Sequence, residues 1–184
     1  MQFSIIRSNR RTMSISVRSD GEIVVRVPYF TGDREIRDFT EMNRTWIEKQ
    51  LRKAYAMEEQ KAQTQTLSEA ELKKLAAEAK KDFPPRVAHY AKVIGVSYGR
   101  ITIRNQKSKW GSCSSKGNLN FNCLLMLAPE SIRNYVVVHE LCHRKQMNHS
   151  PAFWAEVRRA MPDYENAKNW IRENGTSLML RNPN

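Results

Sequence analysis

Cysteine is scarce in this 184-residue chain, and what there is does not build a disulfide framework: Cys113, Cys123 and Cys142 are odd in number and show no CxxC spacing. That pattern fits a reducing compartment. No apolar run approaches the roughly 18 residues a membrane-spanning helix needs, so a membrane protein is not expected. The N-terminus, Met1-Gln2-Phe3-Ser4-Ile5-Ile6-Arg7, lacks an apolar h-region followed by a small-residue cleavage site. A cytoplasmic protein is the expectation. Acidic side chains are also in deficit, 19 against 31 Lys and Arg, for a net charge of +12. The imbalance lies mid-chain: residues 1–60 carry 11 basic and 9 acidic groups, whereas residues 61–110 carry 11 and 4. A basic stretch of this kind either attracts a polyanion, nucleic acid included, or serves as a solvated face. It sets no fold and no oligomeric state.

The hydropathy pattern predicts an α+β chain in two parts. Short alternating runs at Phe3-Ser4-Ile5, Met13-Ser14-Ile15-Ser16-Val17 and Ile23-Val24-Val25-Arg26-Val27, with Asp20-Gly21 between the last two, predict antiparallel strands and a hairpin. From Asp33 the period becomes helical, since Ile36, Phe39, Trp46, Ile47 and Leu51 share one stripe running towards Lys61. The polar, aperiodic residues 60–67 are the candidate joint between an N-terminal strand-and-helix element, 1–65, and a second domain, 66–184. There Ser68-Glu69-Ala70-Glu71 is a capping box opening a Lys- and Ala-rich helix that Pro84-Pro85 is expected to end. A further helix to Gly95, a strand at residues 101–104, a turn-rich segment at 110–118 and a returning strand over 119–127 follow.

Pro129-Glu130 then starts a helix apolar on most sides, through Ile132, Tyr135, Val136, Val137, Val138, Leu141 and Cys142. Its exceptions are His139, Glu140 and His143. Histidines four apart on a helix lie about 40° from one another and one turn apart, so both imidazoles can reach a single zinc ion. Glu140 projects from the neighbouring direction, where it can take a proton from a zinc-activated water. This His-Glu-x-x-His pattern is the metallopeptidase signature. A catalytic zinc takes three protein donors, and His149 is the first candidate for the third. The chain must turn to deliver it: Asn148 tolerates the left-handed conformation, and Ser150-Pro151 reads as the cap and first residue of a new helix. The His-x3-His-x5-His spacing equals that of metzincins, although Gln146 stands where their turn glycine belongs. Glu156 and Glu165 are the alternatives for the third donor. Three of the chain's four histidines fall within eleven residues, which a hydrogen-bonded core does not call for. His89 stands apart on an amphipathic stretch and reads as structural.

The segment His139-Glu-Leu-Cys-His143, followed by Asn148-His149-Ser150 and Phe153-Trp154 and preceded by Lys109-Trp110-Gly111-Ser112-Cys113 and Asn118, resembles the YgjP-like metallopeptidases, the domain-of-unknown-function 45 group. The likeness extends to Trp46-Ile47 and covers nearly the whole chain. It implies a compact zincin-like domain with a small antiparallel sheet and a central HExxH helix, related to the SprT-like and WLM metallopeptidases. An apolar residue is expected where Arg144 stands.

The reading is thus a zinc metallopeptidase acting on a protein or peptide substrate, with His139, His143 and His149 on the metal and Glu140 as general base. A sheet edge, at residues 101–107 or 119–125, would align the substrate by strand addition, with Trp110 and Gly111 shaping the adjoining turn. Tyr164 is either an oxyanion donor or a packing residue. Two rivals use the basic 61–110 region: a nucleic-acid-binding module with a closed, structural zinc, and a peptidase acting on nucleic-acid-bound proteins.

Overall fold

The computed structural model describes residues 2–183 and divides into two compact units, Met1–Thr64 and Gln65–Asn184. In the first unit a three-stranded sheet is ordered β1–β3–β2, where β1 is Ser4–Ser8, β2 Ser14–Val17 and β3 Ile23–Pro28. β2 and β3 form the antiparallel hairpin, while β1 joins the other side of β3 in parallel. Central β3 supplies Ile23, Val25 and Val27 to a core closed by Ile36 and Ile47.

Those two isoleucines belong to separate helices, α1 (Asp33–Met42) and α2 (Arg44–Gln63), rather than to one continuous helix. The break is at Asn43, whose ψ of 9° leaves the helical range. Its backbone N–H turns to the Thr40 carbonyl and its side-chain amide donates to the Phe39 carbonyl, satisfying groups a continuing helix would have used.

The second unit contains α3 (Glu69–Ile94), β4 (Ile101–Arg104), β5 (Gly111–Cys113), β6 (Leu119–Asn122), α4 (Glu130–Cys142), α5 (Pro151–Ala160) and α6 (Tyr164–Leu180). The capping box at Ser68 and Glu71 is formed. Pro84 and Pro85 do not end α3, which runs on to a left-handed Gly95. Both prolines stand on the exposed side, where Lys80 and Lys81, whose carbonyls lose their intrahelical partners, are exposed as well. The opposite stripe, Leu75, Ala79, Phe83, Val87, Ala91 and Ile94, is buried along the whole length. Across the two prolines, Arg86 pairs with Asp82 at 2.7 Å and with Glu130 of α4 at 2.9 Å. Tertiary packing therefore overrides the local breaker.

The sheet of this unit is ordered β4–β6–β5, with β4 parallel and β5 antiparallel to the central β6. Phe121 of β6 stacks on Phe83 of α3 with ring centroids 4.6 Å apart. Burying each ring contributes about 1.5–3 kcal/mol. After Asn122 the chain leaves the strand and forms a short 3-10 helix, Cys123–Leu127, so the returning strand is shorter than the hydropathy predicts. The Asn122 side chain causes the change: its carbonyl accepts the Leu124 N–H at 3.1 Å and caps the turn. Because β6 is paired on both sides, residues 119–122 cannot align a substrate; the open edges are β4 and β5. Among the described residues no helix is long and apolar enough to cross a membrane.

Candidate metal centre

α4 is buried along most of its surface, and this apolar stripe fixes its rotation. His139 and Glu140 lie in its last turn and His143 is its C-terminal cap residue. The chain then tightens, with Arg144 N–H bonded to the Leu141 carbonyl and the N–H groups of Lys145 and Gln146 to the Cys142 carbonyl. Asn148 does not adopt the left-handed conformation; among the described residues only Gly21, Gly95 and Gly117 have positive φ. Hydrogen-bonded turns reverse the chain instead. Ser150 then caps α5 by accepting the Phe153 N–H, with Pro151 in the first turn, and this start places His149 back against α4.

The candidate nitrogen donors of His139, His143 and His149 all lie within 4.8 Å of one another. His139 Nε2 and His149 Nε2 are 3.0 Å apart. Two nitrogens each about 2.0–2.1 Å from one tetrahedral ion would be separated by about 3.3 Å, so the pair already has nearly the spacing of a shared ion. His143 Nδ1 lies 3.1 Å from the Gln146 carbonyl. A carbonyl only accepts, so Nδ1 carries the proton and Nε2 keeps its lone pair, the tautomer a metal requires. Burial, reinforced by the neighbouring His143 and His149, holds His139 down to about 3, and burial also lowers His143. Both rings are therefore neutral at pH 7. Phe153 and Trp154 of α5 floor the cluster: His143 stacks on Phe153 with centroids 4.6 Å apart, and His149 on Trp154 at 5.9 Å.

The Glu140 side chain is buried, and burial pushes its carboxyl up to about 8 against the opposing pull of Lys109. It faces β5. A Cβ built on Gly111 would stand 2.8 Å from Glu140 Oε1 and Cγ, so only glycine leaves room for the carboxyl in this position. The constraint is space rather than backbone angle. Cys113, two residues on, has its thiol raised by burial and then by the negative charge of Glu140.

The carboxylates considered for a third donor are not grouped with the imidazoles. Glu156 Oε2 is held by Lys145 at 3.0 Å and Arg159 at 2.8 Å. Tyr164 is buried, its ring stacked on Trp154 at 5.5 Å and on Tyr135 at 6.5 Å, which is a packing environment. Arg144, where an apolar residue is expected, points out of the core and ties two loops together, donating to the Ser97 carbonyl at 3.1 Å and the Ser115 carbonyl at 2.9 Å. His89 is not grouped with these residues and packs edge-on against Tyr90.

Asn122 carries a second role that hydropathy does not reveal. Fully buried, it donates to the carbonyls of Gln106 at 2.8 Å and Lys109 at 2.9 Å, and so fixes the loop that delivers Lys109, Trp110 and Gly111 to Glu140. A polar residue in a predicted strand core is the only sequence signal it leaves. Asn118 holds the other end of the turn, accepting the Arg100 N–H at 3.0 Å.

The model of the YgjP-like metallopeptidase domain matches residues 11–74 and 57–174, which together take in most of the chain. The chain belongs to the YgjP-like metallopeptidase family. It is therefore a metallopeptidase, a hydrolase of peptide bonds. Among solved structures it is similar to the metallopeptidase zymogen abylysin of Pyrococcus abyssi, at 27% identity and a TM-score of 0.45 over 53% of this chain and 95% of that one. It is also similar to the zymogen jannalysin of Methanocaldococcus jannaschii, at 23% identity and a TM-score of 0.45 over 50% and 96%. No curated protein matches the chain.

Proposed function

We propose that this YgjP-like chain is a zinc-dependent peptidase in which His139, His143 and His149 hold the ion and Glu140 is the general base. The observation that carries the reading is the meeting of three imidazole nitrogens, two of them on rings kept neutral by burial, beside a buried carboxyl. Imidazole donors of this number suit zinc with one position left for solvent. Zinc, when bound, lowers the pKa of a coordinated water and polarises a scissile carbonyl.

The protein's own groups supply the rest. Glu140 accepts a proton from the attacking water and returns it to the leaving nitrogen, and burial, which raises the carboxyl to about 8 in the metal-free chain, makes it a strong enough base to hold that proton in between. The positive charge of Lys109 works against burial and favours the carboxylate form a base needs. The substrate's place is the open edge of β5. The Trp110 carbonyl bonds to Asn122 N–H and Ser114 N–H to the Asn118 carbonyl, so Gly111 and Cys113 turn their own N–H and C=O groups away from β6. An extended peptide paired there lies beside Glu140.

Two outcomes test this reading. Stripping the protein with a chelator is expected to abolish hydrolysis of a quenched fluorescent peptide library, and one equivalent of zinc to restore it. Hydrolysis persisting at full rate in protein shown to hold no metal would contradict the proposal. Gly111→Ala is expected to leave fold and zinc content intact but lower kcat/KM by about 10²-fold, because the new methyl displaces the Glu140 carboxyl by on the order of 1 Å. Steady-state kinetics beside metal analysis checks it.

A further inference from the structure

The edge of the sheet opposite the catalytic strand is also open, and its chemistry differs from that of β5. β4 pairs with β6 alone, in parallel. The Leu119 N–H donates to the Arg100 carbonyl at 2.9 Å, and in this register Arg100, Thr102 and Arg104 direct their backbone groups to β6. Ile101 and Ile103 therefore present their N–H and C=O groups outwards, two donors and two acceptors at the spacing of an extended peptide.

These groups do not open onto a flat surface. They line a groove of about 560 Å³ whose walls are Lys80 and Pro84 of α3 and residues 100–104 of β4. Its charged residues are Lys80, Arg100 and Arg104, with no acidic residue among the lining. Arg104 shares its Nε–H with Asn120, whereas Lys80 and Arg100 make no ion pair among the described residues. β6 separates this edge from β5, so the two edges are about 10 Å apart across the sheet.

We propose that the β4 groove is a docking site for an extended acidic segment of a protein partner, held by strand addition to Ile101 and Ile103 and by the charges of Lys80, Arg100 and Arg104. Main-chain pairing supplies affinity without sequence demands, and the three cations select acidic side chains on the incoming strand. A nucleic acid would satisfy the cations but not the alternating backbone donors and acceptors. The site is distinct from the metal cluster and does not depend on Glu140 acting as a base.

The test is fluorescence anisotropy at low salt with a short, end-blocked, fluorescein-labelled peptide of alternating glutamate and valine. The full chain carrying Glu140→Gln is used, so that hydrolysis cannot interfere. Saturable binding is expected. Ile103→Pro removes one outward N–H and no β6 hydrogen bond, a backbone change an edge strand tolerates. It also trims a half-buried side chain packed against the core, so the variant's melting temperature is measured beside binding. The variant is expected to weaken binding at least about tenfold, as is N-methylation of alternate residues of the peptide. The pair Lys80→Glu and Arg100→Glu, at exposed positions whose side chains make no ion pair among the described residues, is expected to weaken binding to a similar degree. The proposal is overturned if the peptide does not bind, in which case the cations merely guard the edge. It is overturned equally if charge reversal matters but Ile103→Pro and N-methylation do not, or if proline matters but charge reversal does not. Displacement by oligothymidylate with indifference to Ile103→Pro would mark a generic polyanion surface and also overturn it.

Discussion

Glu140→Gln is expected to lower turnover by about 10²–10⁴-fold while leaving zinc content unchanged. Glutamine keeps the shape that fits against Gly111 but cannot accept a proton, so the variant separates the role of the carboxylate from that of the pocket. A second readout shows that the group has been changed without harm to the fold. In the metal-free protein burial raises the folded-state carboxyl from its ordinary 4.5 to about 8. A group raised in the folded state stabilises fully below its unfolded value, and that contribution is lost as pH climbs towards the folded one. The Glu140 contribution is lost between about pH 4.5 and about pH 8, but up to about pH 6.5 it is opposed by His139, whose depressed value adds stability as pH rises. Metal-free wild-type protein should therefore show its net loss between about pH 6.5 and about pH 8, and Glu140→Gln should remove it. Thermal melts across this range, beside turnover measured with zinc, check both halves. Wild-type turnover in the variant would remove Glu140 from the mechanism.

The second large effect is expected at the third donor. His149→Ala should weaken zinc binding by more than about 100-fold, beyond the 10- to 100-fold typical of losing a group that only orients a ligand. Glu156→Gln should leave zinc binding unchanged, because that carboxylate is engaged by Lys145 and Arg159. The cost to stability of removing this half-buried surface pairing is about 0–1 kcal/mol. Competition titrations against a chromophoric chelator distinguish the two variants. Equal zinc affinity in wild type and His149→Ala would contradict the assignment, and loss of zinc from Glu156→Gln would transfer it.

The parts of this geometry that hang on local chemistry were legible before the structure. Four residues make roughly one helical turn, which suffices to bring His139 and His143 together, and Ser150-Pro151 announces the helix start that returns His149 to them. The capping box at Ser68 and the β2–β3 hairpin rest on equally local rules. Where tertiary contacts decide, the local rules fail. Pro84 and Pro85 read as a terminus, yet the buried stripe from Leu75 to Ile94 carries the helix past them. The stripe through Ile36, Ile47 and Leu51 reads as one helix because Asn43 breaks it without a proline or glycine. Neither the fit of Gly111 against Glu140 nor the grip of Asn122 on the 106–109 loop is visible in periodicity, since each joins elements distant in sequence. The choice of open sheet edge likewise follows from strand order, which places β6 in the middle.

Anomalous diffraction at the zinc edge from zinc-loaded crystals tests the central claim most directly. The account predicts one strong peak about 2.0–2.1 Å from a ring nitrogen of each of His139, His143 and His149, with solvent in the fourth position and Glu140 outside the coordination sphere. A peak elsewhere, or at these histidines with a fourth protein donor closing the site, would contradict it.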